Sequence, residues 1–71
     1  MQYNGHKSWA YWNVALWIAN DETLYRAAKS VLRASKTKDI AARRLKEYQP
    51  EKTPDGARYS VSAVREAIKE L

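Results

Sequence analysis

Residues 8–20 read Ser-Trp-Ala-Tyr-Trp-Asn-Val-Ala-Leu-Trp-Ile-Ala-Asn, and the reading of this stretch decides the fold. It holds all three tryptophans of a 71-residue chain and most of its bulky apolar volume. At ~100° per residue its apolar side chains fall almost all round a helical wheel. Trp9, Trp12 and Leu16 share one face; Tyr11, Val14, Ala15 and Ile18 share another; Trp17 sits apart beside Asn13. A helix that is apolar all round is normally buried between others, so this one is expected at the centre of a bundle. Val14 and Ile18 are β-branched, but Ala10, Ala15 and Ala19 favour helix over strand. Ser8 is the expected N-cap.

The length allows one domain, residues 1–71, with a small core. Chains of this size usually need disulfides, a metal, self-association or unusually good packing. Cysteine is absent and His6 is the single histidine, so a disulfide or a metal site is not expected, nor any cofactor. Three Trp and five Tyr are the remaining resource, each large ring burying on the order of 150–250 Å². No apolar leader follows Met1, and the longest apolar run is interrupted at Asn13 and Asn20, too short for a membrane span. A cytoplasmic protein is the default expectation.

Working outward, Asn4-Gly5 marks a turn before the first helix. Asn20 or Asp21 caps a second helix, expected over 22–34, with acids against the positive end of its dipole. Leu24, Ala28, Val31 and Leu32 give its inward stripe, widened by Tyr25 and Ala27, and Arg26, Lys29 and Arg33 line the opposite side. Thr37 caps a third helix over 38–48, with Ala41, Leu45 and Tyr48 inward and Ile40 at one margin. Pro50 ends it. Residues 49–59 are the longest irregular stretch, and Thr53-Pro54-Asp55-Gly56 has the Pro and Gly positions of a type I turn. Ser60 caps a last helix over 61–71, with Tyr59 and Val64 spaced as a hydrophobic staple. Val61, Val64, Ala67, Ile68 and Leu71 make its apolar face. The expected fold is all-α, a compact bundle of about four short helices packed around the Trp-rich first helix.

Charge is unevenly placed. Arg26, Lys29, Arg33, Lys36, Lys38, Arg43, Arg44 and Lys46 stand against a single acid, Asp39, giving +7 over that segment and leaving −2 for the remainder. Such a cluster can bind phosphates without reading sequence, so these eight residues are the candidate partner- or nucleic-acid-binding set. The same pattern also suits an ordinary solvated surface.

Catalytic signatures are nearly absent. Gly5 and Gly56 are the only glycines, and no phosphate-cradling loop or metalloprotease motif can be built from them. The expectation is a non-enzymatic protein. Three tryptophans on one helix exceed what a small interior readily encloses, so Trp17 is the candidate interaction anchor or homodimer contact. A helix-turn-helix reading is also weighed: residues 37–45 resemble its first helix and residues 59–68 its recognition helix. The connection is much longer than the usual 3–4 residues, and Glu66 and Glu70 would oppose DNA phosphates.

Tyr3-Asn4-Gly5-His6-Lys7-Ser8-Trp9, then Trp12-Asn13-Val14-Ala15-Leu16-Trp17-Ile18, then Asn20-Asp21-Glu22 and Leu24-Tyr25, resembles a family of small phage and mobile-element proteins of unknown function. The resemblance covers the first third of the chain strongly and implies a viral or plasmid setting. In that setting the expected function is an accessory protein that binds and inhibits a host defence nucleoprotein in the host cytoplasm, as an anti-CRISPR does. A small basic DNA- or RNA-binding protein is the alternative, and a self-assembling structural module the third.

Overall fold

The computed structural model describes residues 8–69 and 71. The expected turn at Asn4-Gly5, His6 and the helical placement of Glu70 lie outside the described residues. Four α-helices follow in order: α1 (Trp9–Asn20), α2 (Glu22–Ala34), α3 (Lys38–Glu47) and α4 (Val61–Ile68). Each begins where its cap residue dictates. The side chains of Ser8, Asp21, Thr37 and Ser60 accept from the backbone N–H groups of Tyr11, Leu24, Ile40 and Ala63. Asp21 also closes α1, its own N–H donating to the Trp17 carbonyl at 2.9 Å. One residue therefore ends one helix and starts the next.

The helices form a closed ring of neighbours: α1 packs on α2 and α4, and α3 packs on the same two. The chain is an all-α bundle, as expected. Its core is Val14 and Ile18 of α1, Ala28 of α2, Ala41, Ala42 and Leu45 of α3, and Ala63, Val64, Ala67 and Ile68 of α4, with Ala57 and Tyr59 from the loop. Half of the eight residues of α4 are buried. That helix packs between α1 and α3 with its Ala63, Val64, Ala67 and Ile68 face inward.

Two expectations about the aromatics are corrected. Trp9, Trp12 and Leu16 lie on the side of α1 away from Val14 and Ile18; Trp9 is 40% exposed and the other two are half-buried. With only α2 and α4 as close neighbours, an all-round apolar helix cannot be enclosed on every side. Tyr48, expected inward, is 79% exposed. The cause is that α3 stops at Glu47, and Tyr48 is its C-cap, after which the chain departs. Similarly α4 ends at Ile68 rather than Leu71, with Lys69 as its C-cap.

The long connection folds back on itself as a turn. Gly56 donates to the Thr53 carbonyl at 2.9 Å and closes the turn predicted from Pro54 and Gly56. Gly56 has φ of +95°, so Thr53 N–H can then donate to the Ala57 carbonyl at 2.7 Å. A turn followed by a left-handed glycine is a common hairpin closure. Lys52 and Arg58 pair as a single antiparallel bridge. This small hairpin tucks Thr53, Ala57 and Tyr59 into the molecule.

What holds the hairpin down is Asn13, buried to 2% exposure in the middle of α1. Its carbonyl oxygen accepts from the Thr53 hydroxyl at 2.6 Å, and its Nδ2 donates to Asp55 Oδ2 at 2.9 Å. The Thr53 oxygen in turn accepts from the Ala57 N–H at 3.0 Å. A buried amide without partners would be costly, so the hairpin and Asn13 each require the other.

Candidate functional site

The eight basic residues marked in the sequence do not form one uniform surface. Lys38 donates from Nζ to the Lys69 carbonyl at 3.0 Å, at the C-terminal end of α4. Arg44 reaches the Ala34 carbonyl at 3.3 Å and the Ser35 hydroxyl at 3.5 Å, at the end of α2. Both cations thus sit on helix C-termini, where the dipole favours positive charge. Arg43 pairs with Asp39 at 3.4 Å, and Arg65 of α4 approaches the same carboxylate at 3.7 Å. These three residues belong to the α3–α4 seam.

The second helix keeps its cations outward. Arg26, Lys29 and Arg33 recur at i, i+3 and i+7 on the side opposite buried Ala28. Arg26 meets Glu22 one turn earlier at 2.6 Å, but both side chains are about three-quarters exposed, and such pairs contribute little. Among the described residues no carboxylate lies within salt-bridge distance of Lys29, Arg33, Lys36 or Lys46.

Along this row Tyr25, Arg26, Lys29, Ser30, Arg33 and Ala34, all of α2, border one open patch of surface. Tyr25 is 36% exposed. The Lys29 Nζ stands 5.6 Å from its ring centroid, a cation–π contact worth roughly 0.5–1 kcal/mol at an exposed site. The face therefore offers cations and an aromatic surface side by side. Seen from the sequence, Tyr25 counts as a widening of the inward stripe; its place four residues before Lys29, on the flank of the basic row, is the signal for its second role.

Trp17, the candidate anchor, is half-buried, and its indole N–H donates to Asp55 Oδ2 at 3.0 Å. The contact it makes is with the protein's own hairpin. Asp55 accepts from both Asn13 and Trp17, and these two hydrogen bonds, Asn13 first, hold its carboxyl below the ordinary value. Tyr59 shows the reverse effect: burial, and then the negative charge of Asp21, raise its phenol above the usual range. Among the described residues no group of three or more His, Cys, Asp or Glu could hold a metal ion. No helix among them is long and apolar enough to cross a membrane.

The model of a family of unknown function, DUF7249, matches residues 1–71. The chain belongs to this family. No curated protein matches the chain, and no solved structure matches it.

Proposed function

We propose that this DUF7249 protein is a non-enzymatic binding module that engages the phosphate backbone of nucleic acid through the outward face of α2. The observation that carries this reading is the outward pair Lys29 and Arg33 on that open patch, two cations with no carboxylate partner among the described residues. Phosphate contacts of this kind need no sequence readout and are dominated by charge. Lys36 and Lys46 would extend the field at longer range, while Lys38, Arg43 and Arg44 are engaged within the fold. The non-enzymatic reading rests on composition: one histidine, no cysteine and two glycines leave little from which to build a converging site. Affinity capture from a bacterial lysate, with and without nuclease, tests the reading. Recovery of nucleic acid that depends on Lys29 and Arg33 supports it; a folded protein that captures none removes it.

A second reading follows from the resemblance of residues 3–25 to small phage and mobile-element proteins. There the protein would act in the host cytoplasm as an inhibitor of a defence nucleoprotein, occupying its nucleic-acid-facing surface in the manner of an anti-CRISPR. Expression in a host with active defence is the test. Restored phage plating supports the inhibitor reading, and unchanged protection argues against it.

A further inference from the structure

We infer that the α2 face takes single-stranded nucleic acid in preference to duplex, with Tyr25 as the platform on which a base stacks and Lys29 and Arg33 on the adjoining phosphates. The inference rests on the proposed phosphate-binding role of this face and deepens it.

Three features of the face favour the single strand. First, an exposed aromatic ring lies within the basic patch itself. Among the described residues the other exposed aromatics, Trp9 and Tyr48, do not border it. In a duplex both faces of each base are already stacked, so a ring beside the backbone finds nothing to stack on. In a single strand each base offers a free π-face, and charge plus aromatic stacking is the usual means of holding it.

Second, the end of α2 that would enter a major groove is acidic. Groove-reading helices commonly present their N-terminal residues to base edges. Here that end carries Asp21 as the cap and Glu22 in the first turn. Both would be driven against phosphates and base acceptors. The cations lie farther along, from Arg26 to Arg33, so the helix must meet a strand side-on.

Third, ring and charge lie close enough to serve one short stretch of strand. The row from Arg26 to Arg33 spans about 10 Å of helix, with Tyr25 at its start. Lys29 already lies over the Tyr25 ring, and its ammonium needs only to swing from the ring to a neighbouring phosphate as a base takes its place.

The test is a fluorescence anisotropy titration at low salt, using a labelled mixed-sequence single strand and the same sequence as duplex. Wild type, Tyr25→Ala, Tyr25→Trp and the double variant Lys29→Glu/Arg33→Glu are compared, with far-ultraviolet circular dichroism to verify folding. Tighter binding of the single strand by wild type is expected. Tyr25→Ala should weaken single-strand binding on the order of ten-fold and leave duplex binding nearly unchanged, while Tyr25→Trp should retain the preference. Charge reversal should remove both. Equal or tighter duplex binding by wild type, or a Tyr25→Ala effect that is absent or equal on both ligands, overturns this inference while leaving the phosphate-binding role intact. Binding of neither ligand by folded wild type overturns both.

Discussion

The side-chain carbonyl of Asn13 accepts the hydroxyl of Thr53 at 2.6 Å across a sequence separation of 40 residues. This bond joins the middle of the apolar first helix to the base of the hairpin. It makes the polar centre of α1, with the indole N–H of Trp17 beside it on Asp55, the point at which the long connection is fixed.

Asn13→Ala should therefore destabilise the fold by about 1–3 kcal/mol, because the buried Thr53 hydroxyl loses its acceptor. Chemical denaturation of the variant measures this directly. A loss well under about 0.5 kcal/mol, the low end for one hydrogen bond, would mean that the hairpin is held by its apolar residues and the Trp17–Asp55 bond without Asn13.

The hairpin should also loosen in acid. The Asp55 carboxyl is held below its ordinary value of 3.8 by hydrogen bonds that need the charged form. A depressed pKa contributes stability that is present above the unfolded value and is lost as pH falls through the folded one. Stability should thus decline as pH drops below about 4, the ordinary range of an aspartate, and Asp55→Asn should flatten that part of the profile. Thermal melts of both proteins between neutral and strongly acidic pH supply the comparison. Identical acid limbs would place the titrating group elsewhere.

Gly56 sits at φ of +95°, and no heavy atom lies within 4 Å of the position a Cβ would take, so a side chain there meets open space. The cost of Gly56→Ala is then backbone strain alone, on the order of 1–2 kcal/mol. The melting temperature of this one variant shows it, and an unchanged value would indicate that the turn can relax to negative φ.

Much of the fold could be read from residue order. Ser8, Thr37 and Ser60 cap where expected because short hydroxyl side chains satisfy N–H groups that a helix start leaves unpaired. The second helix orients itself, since Leu24, Ala28, Val31 and Leu32 oppose Arg26, Lys29 and Arg33. The first helix offers no such guidance. With apolar groups on every side, the wheel cannot say which arc turns inward. The inward arc proved to include its one central polar residue, Asn13, whose partners Thr53 and Asp55 lie in a distant turn. No local pattern reports a pairing across that separation. The basic cluster was visible as a cluster, but its division was not: whether Lys38 and Arg44 cap helix ends depends on where α4 and α2 stop.

The same contrast between bulk and burial gives a ranking. Ile18 is 1% exposed in the core, whereas Tyr48 is 79% exposed. Ile18→Ala should cost about 2–5 kcal/mol, and Tyr48→Ala should stay within about 0.5 kcal/mol of wild type. Denaturation midpoints order the two variants, and a larger loss for Tyr48→Ala would assign that ring a packing partner that the bundle does not give it.

The central claim is that Lys29 and Arg33 on α2 bind phosphates. Its most direct measurement is the dependence of oligonucleotide affinity on salt for wild type and for Lys29→Glu/Arg33→Glu. Each phosphate neutralised on a single strand contributes about −0.7 to the slope of log affinity against log salt. Wild type should show affinity that falls steeply with salt, and the variant should lose binding while remaining folded. Binding that is indifferent to salt, or that survives the reversal unchanged, would contradict the account.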